Sequence, residues 1–68
     1  MNTEIVETIW YNSGKLKTNL SSNGITINAG EFAAVSVDVW SDRTIAVAVC
    51  SGTKNIFLPY ASDYQSWF

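Results

Sequence analysis

Histidine is missing from this 68-residue chain altogether, and cysteine, proline and methionine occur once each. Without histidine no Ser-His-Asp or Cys-His arrangement can form, and the commonest general base near neutral pH is gone. The usual structural zinc sites lose their ligands for the same reason. A lone Cys50 leaves no intramolecular disulfide. Basic residues are few: Lys15, Lys17, Arg43 and Lys54 stand against six acids, giving a net charge of −2. No basic cluster exists to neutralise a phosphate backbone, which argues against a nucleic-acid partner. No run reaches the roughly 20 apolar residues of a membrane span, which argues against a membrane partner. The opening MNTEIVETIW carries acids where a signal peptide carries a basic region. These absences predict synthesis in the cytoplasm without a signal peptide, and they leave assembly into an exported particle open.

Other chemistry is equally thin. Gly14, Gly24, Gly30 and Gly52 stand singly, so there is no phosphate-cradling loop. Nothing resembles a calcium loop, and no cofactor is expected. The acids Glu4, Glu7, Glu31, Asp38, Asp42 and Asp63 show no spacing that marks a glycosidase pair. Cys50 sits at the end of an alternating pattern, where a small buried hydrophobe is the simpler reading than a nucleophile. Asn19-Leu20-Ser21 matches a glycosylation sequon, a three-residue pattern close to noise. The expectation is a protein that is not an enzyme.

What is present is apolar and β-forming. Hydrophobic residues make up 47% of the chain and charged residues 15%, the profile of a folded protein. The length sets an expectation of one β domain over residues 1–68. A domain this small buries only about 60% of the surface its unfolded chain exposes. With neither disulfide nor metal, the remaining route to added stability is burial against other copies or another protein.

Alternation places the strands. Residues 3–11 are rich in β-branched and aromatic side chains and read as a strand, with a short helix as the alternative. Asn12-Ser13-Gly14-Lys15 predicts a turn, and residues 15–21 a weak strand. Asn23-Gly24 is the strongest hairpin signal in the chain. A brief strand over 25–27 closes at Ala29-Gly30. Phe32–Trp40 is the clearest strand, and Ser41-Asp42 turns it into residues 43–50, its antiparallel partner. Residues 51–53 lead to a strand over 55–58 that Pro59 ends. The tail, 60–68, reads as one more short strand or an ordered aromatic arm. Six or seven short strands predict an all-β fold, a small antiparallel β-sandwich or barrel.

The central hairpin is asymmetric. Val35, Val37, Val39, Ile45, Val47 and Val49 form an ordinary core face. Its reverse carries Ala34, Ser36, Ala46, Ala48 and Cys50, where a solvated strand would carry long charged side chains. Two readings stay open: aromatics of the same chain (Trp40, Trp10 or the tail) cover that face, or copies of the protein meet across it through Ala34, Ser36, Ala46 and Ala48. Nine aromatic rings are more than so small a core can hide, so some are expected at a recognition surface. Trp40, Tyr60, Tyr64 and Trp67 are the expected binding residues, because Trp and Tyr bury large rigid area while keeping a polar handle. Asp38 beside Trp40 offers a sugar platform, with a solvated or edge-guarding charge as the plainer reading.

Residues 25–40, ITINAGEFAAVSVDVW, resemble β-sandwich modules of phage and other virion appendages, in which a short strand leads through an Ala-Gly turn into an alternating Val strand. Residues 55–67, NIFLPYASDYQSW, are similar to the ends of such fibre or tip domains. The resemblance implies a homo-oligomeric virion component, trimeric by preference, that binds a glycan or protein on a host surface. A second expectation, from another class, is a small inhibitor that binds and blocks a larger protein. Length, acidity and the absence of catalytic groups suit it.

Overall fold

The computed structural model describes residues 3–68. Its strands are β1 (Ile5–Lys15), β2 (Leu20–Ser22), β3 (Ile25–Ile27), β4 (Phe32–Trp40), β5 (Ile45–Ser51) and β6 (Lys54–Pro59), followed by a 3-10 turn over Tyr64–Trp67. The expected all-β class holds: an antiparallel four-stranded sheet in the order β1-β4-β5-β6, and a two-stranded hairpin β2-β3. The sheet is open, with β1 and β6 at its edges.

The Asn23-Gly24 turn forms as its residue types require. Both residues have positive φ, 54° and 81°, which gives the primed turn that matches strand twist. The 32–40 and 43–50 segments pair as expected, with Val35 opposite Val49 and Val37 opposite Val47. Their connection is longer than a Ser41-Asp42 turn. Trp40 N–H donates to Thr44 O and Arg43 N–H to Trp40 O, leaving a three-residue loop that closes with Arg43 at φ 71°.

Two expectations are corrected. The turn predicted at 12–15 is strand: Asn12, Ser13, Gly14 and Lys15 pair in unbroken register with Val35, Ala34, Ala33 and Phe32. β4 is a long, regular template, and polar residues are tolerated on an edge strand that lies along it. The strand predicted at 15–21 contracts to Leu20–Ser22. Residues 16–19 instead cross between layers, pinned where Leu16 N–H donates to Glu31 O and Lys17 N–H to Trp67 O. Of the two readings of the tail, the ordered aromatic arm holds and the strand does not. The tail folds into a 3-10 turn whose rings drop onto the sheet.

The imperfect alternation of residues 3–11 has a structural cause. Register shifts between Ile5 and Glu7 and between Thr8 and Trp10 leave Val6 and Ile9 as extra residues in β1. Each bulge reverses the facing of the residues beyond it. Thr8 thereby joins Asp38 on one face, while Trp10 joins Val37 on the other.

The core lies on that second, inner face. Val35, Val37, Val47 and Val49 are fully buried, with Ala33 and Ile56 beside them. Leu16, Leu20 and Ile27 come down from the hairpin side, and Tyr64 and Trp67 from the tail. Lys54 ties the hairpin to β6 by donating to Thr26 O and reaching Glu31. The predicted core row does not extend to its end. Val39 is half-buried and Ile45 exposed, because the β4–β5 hairpin outruns the cover above it.

Candidate docking face

The opposite, outer face of the sheet has no second layer among the described residues. Directly paired residues share a face, so the register defines its rows. Tyr11, Ser36, Ala48 and Phe57 form the central row across β1, β4, β5 and β6. On one side lies Ser13, Ala34, Cys50, Asn55, and on the other Thr8, Asp38, Ala46, Pro59. The sequence along β4 completes the outline, since Phe32 and Trp40 share the parity of Ser36.

The result is a shallow basin. Its floor is Ala34, Ser36, Ala46 and Ala48, all half-buried. Its rim is aromatic: Tyr11 is 63% exposed, Phe57 58% and Phe32 65%. Tyr11 and Phe57 stand on the two edge strands, about 14 Å apart at three strand spacings. Trp40 leans over the floor at one end and meets Phe57 edge to face, ring centroids 6.4 Å apart. Beside this ring pair is an open hollow of about 300 Å³ lined by Thr3, Trp40, Thr44, Ala46 and Phe57, almost wholly apolar.

Among the described residues no buried side-chain nitrogen or oxygen lacks a hydrogen-bond partner. Asp38 is buried on this outer face, and its carboxylate accepts from Thr8 Oγ1 at 2.8 Å and Ser36 Oγ at 3.2 Å. Cys50 Sγ donates to Asn55 Oδ1 at 2.9 Å. The thiol is exposed, against the expectation of a buried one, because Cys50 shares the outward parity of Ala46 and Ala48 near the open end of β5. Lys15 stands at the far corner, and the floor itself carries no exposed charge. Elsewhere, Asp42 is held below the usual carboxylate range by the hydroxyl and N–H of Thr44. Among the described residues no three His, Cys, Asp or Glu side chains gather as a metal-binding group would.

The expected site residues divide. Ala34, Ser36, Ala46, Ala48 and Trp40 come together on the outer face. Tyr60 is exposed but lies off it, its ring 6.0 Å from that of Tyr64. Tyr64 and Trp67 are corrected: at 9% and 7% exposure they are core residues and offer no ring to a ligand. Their apolar bodies fill the gap beside Leu16 and Trp10 that the short hairpin leaves open. The idea that the chain covers its own small-residue face is corrected as well. Trp10 and the tail rings lie on the inner face, and only Trp40 leans across one end. Sequence reasoning missed Tyr11, Phe57 and Phe32 as site residues. Strand parity carried the signal, because Phe57 pairs with Ala48 and Phe32 precedes Ala34 by two.

No described helix is long and apolar enough to cross a membrane. Compared with known proteins, the chain matches no family model, no curated protein and no solved structure.

Proposed function

We propose that this chain is a non-enzymatic structural or attachment module that assembles with copies of itself through the outer face of its sheet. The observation that supports this best is the rim: three aromatic rings, each more than half exposed, surround a floor of small side chains without exposed charge. Soluble monomers seldom leave such a surface uncovered. Each ring exposes roughly 100 Å². Covering the rings of two copies therefore removes about 600 Å² of apolar surface, a gross gain of about 15 kcal/mol at 25 cal/mol per Å². That is of the order needed to offset the about 4–15 kcal/mol cost of association. The floor adds complementarity more than energy.

The fold is then best read as an open sandwich, with hairpin β2-β3 and the tail as a partial second layer and a partner supplying cover on the outer side. The likeness of residues 25–40 to virion-appendage modules supports a setting in a multimeric surface assembly. Of the expected ligand-binding residues, Trp40 and Tyr60 remain available. The apolar lining of the hollow beside Trp40 favours a protein side chain over a glycan, which needs hydrogen-bonding partners. That hollow also favours the second reading, an inhibitor that seats one large apolar side chain of a foreign protein.

Light scattering after size exclusion, over a dilution series with reductant present, separates these. The expected result is a stable oligomer that Ala48→Glu converts to monomer without altering the circular dichroism. An Ala48→Glu protein that assembles as before would remove the outer face from the reading. A wild-type monomer at every concentration would transfer the face to a foreign partner.

A further inference from the structure

β1 lies at an edge of the sheet, and the hairpin bonds reveal which way its backbone groups turn. Trp40 N–H donates to Thr44 O, so the even-numbered residues of β4 turn their backbone groups to β5 and the odd-numbered ones to β1. Leu16 N–H donating to Glu31 O agrees. Trp10, Asn12 and Gly14 stand opposite Val37, Val35 and Ala33, and by this alternation exchange bonds with them. Tyr11, Ser13 and Lys15, opposite Ser36, Ala34 and Phe32, therefore turn N–H and C=O away from the sheet. Ser13 shows it directly: its N–H donates to Asn12 Oδ1 at 2.9 Å. That side-chain oxygen occupies the place of a neighbouring strand's carbonyl.

The other edges of the described strands are blunted. The first half of β1 is interrupted by bulges at Val6 and Ile9. β6 is short and ends on Pro59, which has no N–H to offer. Strands β2 and β3 are three residues each, too short to template a partner. Tyr11–Lys15 is left as a regular, outward-facing ladder.

We propose that two copies pair edge to edge through this segment, antiparallel about a two-fold axis at Ser13, joining their four-stranded sheets into one. The ends of the ladder set the register. Exchanged bonds need outward residues on both strands, so Tyr11, Ser13 and Lys15 must meet one another. Ser13 opposite Ser13 uses all three, because Tyr11 then meets the other copy's Lys15 at both ends. Any other centre loses pairs, either to the Ile9 bulge or past Lys15, where the chain leaves the sheet. Tyr11 and Lys15 are both exposed on the outer face, so each lysine stem lies along the other copy's ring, its ammonium on the π face. No like charges stand opposite. On the inner face Asn12 meets Gly14, which has no side chain to obstruct the amide once Ser13 N–H takes a strand carbonyl instead. The axis stands perpendicular to the sheet and leaves both outer faces open on one side, so this contact goes beyond the face assembly and does not rest on it. It closes at two copies. Its few backbone bonds barely exceed the cost of association, so it forms at high protein concentration and leaves dilute copies apart.

Cysteine scanning in an Ala48→Glu/Cys50→Ser background, concentrated and under a mild oxidant, tests this without help from the outer face or the native thiol. Ser13→Cys sets two Cα atoms about 5.5 Å apart with both side chains on one face, within disulfide range. Tyr11→Cys and Lys15→Cys leave like positions about 14 Å apart, and Asn12→Cys about 8 Å, too far to bridge. The expected result is a covalent dimer from Ser13→Cys alone on non-reducing gels, with the amides of residues 11, 13 and 15 exchanging more slowly than in the reduced protein. Cross-linking at Tyr11→Cys or Asn12→Cys in place of Ser13→Cys would overturn the register. Cross-linking at all positions alike, or at none, would overturn the contact. Lys15→Pro, added to Ser13→Cys, removes an outward N–H and no bond to β4. It is expected to abolish the dimer at unchanged circular dichroism, and undiminished cross-linking would show that the backbone ladder does not join the copies.

Discussion

The ring of Tyr64 meets that of Trp10 edge-on, centroids 4.8 Å apart, and so joins the last turn of the chain to the first strand. Phe68 approaches the same indole at 6.4 Å, and Lys17 N–H donates to Trp67 O at 2.7 Å. The tail is therefore a closing element of the core. Tyr64→Ala or Trp67→Ala is expected to cost about 3–5 kcal/mol, as removal of a large buried aromatic usually does. A domain of this size has a total stability of about 3–5 kcal/mol, so either variant should be largely unfolded by far-UV circular dichroism. Tyr60→Ala, which removes a half-exposed ring, should shift the urea midpoint only slightly. Equal effects at 60 and 64 would contradict the burial difference.

Much of this was legible from alternation. Phe32–Trp40 and its partner strand carry a period of two strong enough to fix pairing, core row and the small-residue face together. Asn23-Gly24 located the hairpin because few residue types accept two consecutive positive φ values. The failures have different causes. Local turn chemistry at Asn12-Ser13-Gly14 was outweighed by the template of β4, which no local pattern displays. The tail misled in the opposite direction, since Tyr and Trp look alike in sequence whether they serve a core or a ligand. Which side of the sheet they fell on was decided by the shortness of β2 and β3, too small to cover Val37 and Val47 alone.

Arg43 closes the β4–β5 loop with φ 71°. A side chain in the left-handed region costs about 1–2 kcal/mol, and glycine is the residue that this position of a three-residue hairpin loop prefers. Its greater freedom when unfolded returns part of the gain. Arg43→Gly is expected to stabilise the chain by roughly 0.5–1 kcal/mol, read as a higher urea midpoint at unchanged slope. Gly24→Ala at φ 81° should move the midpoint the other way by a similar amount. A destabilised Arg43→Gly would mean that the arginine side chain does more than sit strained.

Asp38 puts a carboxylate in the basin floor, and its two oxygens are divided between Thr8 Oγ1 and Ser36 Oγ. The second bulge of β1 exists in register with this contact, because Thr8 faces Asp38 only if Ile9 is left out of the pairing. Thr8→Val should cost about 1–2 kcal/mol, as one hydroxyl bond to a buried charged acceptor is lost without a change of volume. Asp38→Ala leaves both hydroxyls without their acceptor and a gap in the floor, and should cost more. A Thr8→Val protein as stable as wild type would mean that the bulge is set by packing of Trp10 alone.

Glu31 contributes to the acid dependence, as does Asp42. The Glu31 carboxylate is held below its ordinary value of about 4.5, first by the Asn28 N–H that donates to Oε2 at 2.6 Å and then by the charge of Lys54 at 3.4 Å. The unfolded chain therefore binds a proton at Glu31 more readily than the folded one. The stabilisation is fully present above the unfolded value and is lost as pH falls through the lower, folded one. Urea midpoints measured from about pH 6 down to about pH 2 should fall through the acid range, and Glu31→Gln should flatten the part of that fall that belongs to Glu31. Because the backbone bond outranks the lysine as a cause, about 0.5 M salt should leave most of this difference in place, whereas a surface ion pair alone would be screened. If salt and Glu31→Gln act alike, the lysine contact governs the strap between hairpin and sheet, and the Asn28 bond is incidental.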